Sequence, residues 1–383
     1  MRFSEYFGAW IRAYYANIPL GRDFYTAVNA SRFFGGAIAK YILDLLESSA
    51  VSLPLNIIDL GANSANLLND IRAFLGVLGL GVVKQCNFIA VEANAPESSL
   101  QGGLTPKQST LAPSLRDSQR KSKQSAPTPS LRDLPKANRG NPNNIFFYKN
   151  LADLKATNIY ANCHNVFIAN EFFDALPCEI IIENKMAFVE NSRIIFKPCN
   201  DKKLLEICEK FKIHKGEIPL IYDEICASLA NLDTKFIFIA FDYGDENPRN
   251  ELTTRFFYHH KVQNLNDFLV DSALDSSKNS TNQTQDSPNH SANLFSLFGK
   301  CDITYNVPFF LLDSAFERID SKKILSKQQD LALVENFKIL DLLQDFYESQ
   351  NGANRTYLSE SNKIKTLLCN LSPKFHARIY KNF

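Results

Sequence analysis

Leu55-Asn56-Ile57-Ile58-Asp59-Leu60-Gly61-Ala62-Asn63-Ser64-Ala65-Asn66-Leu67-Leu68 is the stretch on which the fold turns. Leu55–Leu60 is a short apolar run, as expected of a buried strand. Gly61 closes it. Leu67, Leu68, Ile71, Phe74, Leu75 and Leu78 then recur at helical spacing. Strand, glycine turn and amphipathic helix form the unit from which α/β sheets are assembled.

The alternation continues in both directions. Upstream, Phe33, Phe34, Ala37, Ile38, Tyr41, Ile42, Leu45 and Leu46 predict a helix over 29–48. Downstream, 87–91, 145–148 and 165–169 read as strands. Residues 180–182, 187–189 and 194–196, split by polar turns, predict a small antiparallel meander. The run 235–241 (KFIFIAF) suits a central strand covered on both faces. Helices are expected at 308–318, 331–349 and 358–369. The expected class is α/β, a Rossmann-like doubly wound sheet with additional helical and small antiparallel β elements. The expected organisation is a helical cap over 1–50 and a core over 51–270. An insertion at 97–143 interrupts that core, and the meander at 178–197 belongs to it. A flexible loop at 271–293 then precedes a part at 294–383 that completes the sheet.

Composition excludes several classes. The 383 residues carry a net charge of +1, which argues against a dedicated nucleic-acid binder. No apolar run approaches the roughly 20 residues of a membrane span, so no membrane insertion is expected. The opening MRFSEYFGAW lacks a basic region followed by an apolar one, so no secretory signal is expected. The eight cysteines are scattered, with no CxxC pair; they read as free thiols of a cytoplasmic protein and predict neither a metal site nor a disulfide framework. Residues 101–140 hold no aromatic side chain and are rich in Ser, Pro, Gln and Gly. Eight basic residues against two acidic ones make this loop +6, which leaves the rest of the chain at −5. It reads as a solvated insertion or as a basic arm for an acidic partner.

In an open α/β sheet, ligands bind beyond the carboxyl ends of the strands. Those ends carry Asp59-Leu60-Gly61-Ala62-Asn63, then Glu92-Ala93, then Asn170-Glu171, then Asp242-Tyr243-Gly244. Gly61 lets backbone approach a ligand, and the helix behind it offers free N–H groups. Glu92 is placed to take two hydrogen bonds from a ribose diol. Together they suit an adenosine-containing cofactor, while a purely structural glycine turn stays open. The loop has neither G-x-G-x-x-G nor G-x-x-x-x-G-K-[ST], which lowers the prior for a dinucleotide or a P-loop nucleotide.

Asn170-Glu171-Phe172-Phe173-Asp174-Ala175-Leu176-Pro177 resembles the NEFFDALP signature of the MidA family, class I S-adenosylmethionine-dependent methyltransferases that include the mitochondrial complex I assembly arginine methyltransferase. Other segments agree in order. Gly21-Arg22-Asp23-Phe24-Tyr25-Thr26-Ala27 with Phe34-Gly35 resembles the family's G-x-DF-x-T-[SA]…FG block, and Val91-Glu92-Ala93-Asn94 its VEVS. Asp242-Tyr243-Gly244 resembles DYG. Thr253, Arg255, His260, Lys261 and Val262 resemble TxR…H-[RK]-V, and Asp302-Ile303-Thr304 with Val307 and Phe309 resembles DLTxxVDF. Phe3, Tyr6, Phe7, Tyr14 and Tyr15 echo the family's aromatic first helix. The chain departs at the loop, where DLGANSANL stands for ELGPGRGTL: Gly61 is kept, and Asn63 and Ala65 replace glycines. It departs again at Asn29 and Pro308, where the family has Glu and Asp.

The resemblance implies a class I methyltransferase fold, S-adenosylmethionine as cofactor, and a protein arginine as acceptor, with a respiratory complex I subunit as one client. Carried onto matching positions, it places the cofactor over Asp59, Gly61, Ala62, Asn63, Glu92, Ala93 and Asn170. A guanidinium needs carboxylates to hold it as a fork, because it does not simply lose its proton. Glu171 and Asp174 are the first candidates and Asp23 the next, with Asp242 also at hand. Asp174 as a turn residue, and Phe172 and Phe173 as core, remain alternatives. His259 and His260, adjacent on a strand, would point to opposite faces and so could not easily share a metal ion. Two further readings stay open: a catalytically silent assembly factor that keeps the fold, and a methyltransferase with a different acceptor.

Overall fold

The computed structural model describes residues 1–17, 27–79, 81–94, 131, 145–191, 193–258, 261–273, 294–369 and 374–383. The 97–143 insertion, but for Leu131, and most of the 271–293 loop lie outside them. The chain forms two compact units. One holds Ser31–Asn165 and Leu333–Thr366; the other holds Met1–Ala30, Val166–Ala332 and Leu367–Phe383.

The first unit contains the deciding stretch. Strand β1 (Leu55–Leu60) is buried at every position. It pairs in parallel with β2 (Cys86–Val91), Leu60 facing Val91, and β2 pairs in parallel with β3 (Ile145–Tyr148). Helix Asn66–Leu78 buries Leu67, Leu68, Ile71, Phe74 and Leu75, the apolar stripe read from the sequence. Helix Phe33–Glu47 packs on it so closely that a Cβ at Gly36 would lie 2.6 Å from the Phe74 ring. Phe33 also meets Phe346 of helix Ile339–Ser349, edge to face at 5.3 Å. Three amides cross the amino-terminal end of these strands. Asn87 donates to Asn56 Oδ1, and Asn56 donates to Asn165 Oδ1, both at 2.8 Å. Asn165 in turn donates to the Cys163 carbonyl at 3.1 Å.

The second unit begins its sheet with β4 (His164–Asn170). Four antiparallel strands follow in the order β7-β6-β5-β8: β5 (Glu179–Ile182), β6 (Lys185–Glu190), β7 (Arg193–Pro198) and β8 (Lys215–Ile218). The expected meander is therefore joined by β8, which closes its edge. β9 (Phe236–Asp245) is buried along nearly its whole length. A three-stranded antiparallel sheet comes next, with β10 (Arg255–Tyr258) between β11 (Lys261–Asn264) and β12 (Asp302–Thr304). β13 (Val307–Pro308) runs parallel to the end of β9, and Val307 sits so close to Gly244 that a Cβ there would lie 2.0 Å from the Val307 carbonyl oxygen. β14 (Lys322–Gln328) and β15 (Phe375–Lys381) complete the order β14-β15-β9-β4, with β15 antiparallel to β9. Helix Phe3–Asn17 lays Phe3, Phe7 and Trp10 against Ile180, Ala187, Phe256 and Ile303 in one apolar cluster. Trp10 donates to the Cys301 carbonyl at 2.8 Å.

The fold is thus the expected α/β class, with mixed pairing and added antiparallel sheets. Strands β8, β10–β12, β14 and β15 were not expected, and the helix expected over 331–349 is two, Gln329–Glu335 and Ile339–Ser349, because Lys338 takes a left-handed conformation between them (φ 54°). Among the described residues no helix is long and apolar enough to cross a membrane.

Candidate active site

In the first unit the turn after β1 keeps the backbone of a glycine-rich loop without two of its glycines. Gly61, Asn63 and Ala65 all lie at positive φ, at 72°, 48° and 56°. Asn is the non-glycine residue that tolerates this region best. Gly61, Asn63 and Ser64 form an exposed crest, while Ala62 and Ala65 are buried beneath it. Gly61 N–H donates to the Val91 carbonyl at 2.9 Å, tying the crest to the end of β2. Glu92 accepts from Asn63 N–H at 2.9 Å through one oxygen and from Asn94 N–H at 3.0 Å through the other. Each oxygen keeps a lone pair for a further donor. Ala93 is exposed beside it. Asp59 is buried, and burial, with Glu92 nearby, holds its carboxyl well above the usual range. Behind the crest, helix Asn66–Leu78 starts with no side-chain cap, and Asn66 Oδ1 is buried without a donor among the described residues.

Ala65 is strained by its left-handed backbone, a cost of roughly 1–2 kcal/mol for a residue with a Cβ. Glycine there removes the strain but adds unfolded-state entropy and loses one methyl of packing. Ala65→Gly should therefore stabilise the chain by up to about 1 kcal/mol. Denaturant midpoints of the two proteins check this; a lower midpoint for the glycine variant would contradict it.

In the second unit, β4 ends in Asn170, Glu171 and the short turn Phe173–Ala175. Glu171 stands at φ 48°, unusual for a glutamate and typical of strain kept at working sites. Its carboxylate accepts from Ala27 N–H at 2.9 Å and from Asn170 Nδ2 at 3.4 Å. Two segments of the sequence signature, the one ending at Ala27 and the one starting at Asn170, thus meet on one side chain. Asn170 Oδ1 is buried with no donor among the described residues. Burial pushes Glu171 up to about 7, against the pull of the Ala27 N–H. Asp174 is pushed up to about 6 by burial, and the charge of Arg255 opposes the rise. The backbone N–H groups of Asp174 and Ala175 also pull it down.

Asp242 differs from its neighbours. It accepts from Phe172 N–H at 3.1 Å, Phe173 N–H at 2.8 Å and Tyr243 N–H at 2.8 Å. It holds the Glu171–Asp174 turn in place and has little left for a substrate, so it is a positioning group. Phe173 is fully buried against Tyr222 and Phe238, which makes it core and not a cation cage. Arg255 donates to Asn306 Oδ1 at 2.8 Å and lies over Tyr243, 4.6 Å from the ring centre. Tyr15 donates to Asp302 at 3.3 Å. The Tyr222 and Tyr305 hydroxyls, both buried, are 3.3 Å apart. Asn306, Tyr222 and Tyr305 carry no local sequence signal; only the chain's return past Asp174 brings them here. Asp23, His259 and His260 lie outside the described residues. Among the described residues no group of three or more metal-ligating side chains occurs.

A family model described as "Putative S-adenosyl-L-methionine-dependent methyltransferase" matches residues 37–326. The chain belongs to this family. The family's cofactor is S-adenosylmethionine, and its members are methyltransferases. Two crystal structures from Burkholderia thailandensis share the fold. One, a protein bound to S-adenosyl-homocysteine, has a TM-score of 0.64 at 14% identity, covering 100% of this chain and 87% of that one. The other, a native structure, has a TM-score of 0.63 at 14% identity with the same coverage. No curated protein matches the chain.

The residues of the first unit fit the family's cofactor. A nucleoside with two ribose hydroxyls needs a carboxylate with spare lone pairs, which Glu92 offers. An amino acid moiety needs both donors and acceptors, which the uncapped helix start and the orphaned Asn66 oxygen offer.

Proposed function

We propose that this chain methylates an arginine of a partner protein, in the manner of the MidA family, with a respiratory complex I subunit as one candidate client. The observation that carries the reading is the half-buried acid cluster Glu171–Asp174, held by Ala27 and Asp242 in a strained turn. A half-buried pair of carboxylates suits a cation that donates a fork of N–H groups. Glu92 and the crest Gly61, Ala62 and Asn63 would grip the cofactor, with Asp59 below and Ala93 beside it as further contacts.

When bound, S-adenosylmethionine supplies an electrophilic methyl carbon on sulfur and leaves as the neutral thioether. The acceptor nitrogen gives its lone pair to that carbon and sheds a proton. Glu171, poised near neutrality, is the base that takes it. Asp174 and Glu171 hold the guanidinium and fix the direction of its nitrogens. Asp23 is a third candidate for this acid set.

Labelled S-adenosylmethionine, incubated with the chain and a cell lysate, tests the reading. Label recovered as methylarginine in protein supports it; label in small molecules or in another residue refutes it. The silent-scaffold alternative draws on Asn63 and Ala65, which replace two glycines. It is separated by melting. With a dissociation constant of about 10 μM, 1 mM S-adenosylmethionine should stabilise the fold by about 2.7 kcal/mol. No shift in Tm at that concentration would favour the scaffold.

A further inference from the structure

Glu217, on β8, is a buried carboxylate that the proposed chemistry does not use. Its Oε1 accepts from Thr253 N–H and Thr254 N–H, both at 2.8 Å, and from the Thr254 hydroxyl at 2.7 Å. Its Oε2 accepts from the Thr253 hydroxyl at 3.3 Å. The oxygen of that hydroxyl is an acceptor in turn, taking Asn306 N–H at 2.9 Å. The two threonines therefore differ. Both donate to Glu217, but the Thr253 hydroxyl also holds a second, distant segment of the chain.

That segment, 304–306, reaches the acid turn. Thr304 faces Arg255 across the β10–β12 ladder. Tyr305 N–H donates to the Asp174 carbonyl at 3.1 Å. Asn306 accepts from Arg255 Nη1 at 2.8 Å and donates to Asp245 at 2.7 Å. The same turn is held by Asp242, on Phe172 N–H and Phe173 N–H, and by the Tyr222 hydroxyl, which donates to the Phe173 carbonyl at 3.4 Å. A line of contacts thus runs from Glu217 through Thr253, Asn306 and Tyr305 to the backbone of Asp174. Every step of it lies within the second unit.

The donors on Oε1 serve the local backbone of 253–254. The contact on Oε2 serves the Thr253 hydroxyl alone. A hydroxyl that donates to a carboxylate becomes a stronger acceptor, so Asn306 N–H is gripped more firmly than by an unassisted threonine. Methyl transfer depends on alignment, and a misplacement of about 1 Å can cost about 100-fold in rate. The backbone that carries Asp174 is a place where such a grip would be felt.

We propose that Thr253 is a positioning residue: its hydroxyl, polarised by Glu217, holds Asn306 and so fixes, through Tyr305, the backbone on which Asp174 stands. Asp174 as an anchor of the acceptor rests on the arginine-methylation reading; the relay to its backbone does not.

Amide hydrogen exchange of the full chain, read by NMR, tests the relay. In Thr253→Val, Asn306 N–H loses its acceptor, and Tyr305 N–H should exchange about tenfold faster or more relative to the amides of β9. In Thr253→Ser, which keeps the hydroxyl, that relative rate should stay within about twofold of the parent protein. Thr254→Val also takes a hydroxyl from Glu217 but leaves Asn306 held, so the relative rate should again stay within about twofold. If Thr253→Val does not fold, Thr253→Ala, a truncation at a half-buried site, takes its place. A Tyr305 rate that rises no more than those of β9, or that rises as far in Thr254→Val, overturns the proposal. Label transfer from saturating S-adenosylmethionine to lysate protein is the second readout. It should fall about tenfold or more in Thr253→Val and stay within about twofold in Thr253→Ser and Thr254→Val. Transfer at the parent rate in Thr253→Val would make the relay structural only and overturn the positioning role. Faster Tyr305 exchange with slower transfer, in a protein whose label enters no arginine, would leave the proposal standing and remove the arginine reading.

Discussion

Glu171→Gln is expected to lower methyl transfer by about 10³-fold while leaving affinity for S-adenosylhomocysteine within a few-fold. The substitution is nearly isosteric. The glutamine oxygen still accepts from Ala27 N–H, so the turn should keep its place. What is lost is the negative charge and the ability to take a proton near neutral pH. The fold should not suffer, because a carboxyl that burial already drives toward its neutral form gives up little when it becomes an amide. The measurement pairs a single-turnover transfer assay with calorimetric titration of S-adenosylhomocysteine. A variant that transfers at the parent rate would remove Glu171 from the chemistry. A variant that fails in both assays would point to a collapsed turn and not to a missing base.

Gly244→Ala should be among the most destructive single changes in the chain. The added methyl would fall 2.0 Å from the Val307 carbonyl oxygen and 2.8 Å from the Val307 nitrogen. Those atoms are backbone, so no side-chain rotation relieves the clash. β13 must leave β9, and Gly244 N–H, which donates to the Lys374 carbonyl at 2.9 Å, is strained with it. A loss of about 3 kcal/mol or more is expected, at the upper end of overpacking costs. Trp10 is the chain's one tryptophan and lies in the same unit, so its fluorescence in a urea titration reads the change directly. Because Asn306 sits next to Val307, methyl transfer should fall together with stability. An unchanged urea midpoint would mean that the close approach of β13 to β9 is not a feature of the folded protein.

The sequence shows the sheet where its strands are apolar runs. Leu55–Leu60 and Phe236–Asp245 are legible because both faces are buried and almost every residue says so. β15 was hidden for the opposite reason. FHARIYK reads as surface, yet Arg378 is fully buried, paired with Glu246 and lying over the Phe309 ring at 4.5 Å. His376 also faces Glu246, at 3.1 Å. A buried charge that finds its partners in distant segments leaves no periodic trace. β14, with Lys322, Lys323 and Lys327, reads as a solvated segment because it is an edge strand, where lysines discourage further pairing. The split at Lys338 was invisible because lysine carries no turn signal.

At the site, the acids could be read at strand ends, since topology alone puts carboxyl ends where ligands bind. What the residues there do to one another could not. That Asp242 serves the backbone of its neighbours, and that Ala27 reaches Glu171, depends on contacts between segments up to 144 positions apart. The positive φ at Asn63 and Ala65 was partly legible, because the resemblance read from the sequence sets glycine at these two positions of the turn.

The relay of amides Asn87, Asn56 and Asn165 has a consequence for how this chain can diverge. Each member satisfies the next, and the relay ends on the backbone carbonyls of Ile159 and Cys163, so changing one amide to leucine strands a polar neighbour and replacing all three strands the carbonyls. Drift at these three codons is therefore locked in step: relatives should carry the trio intact, and a lineage holding two of the three would be carrying a defect awaiting repair.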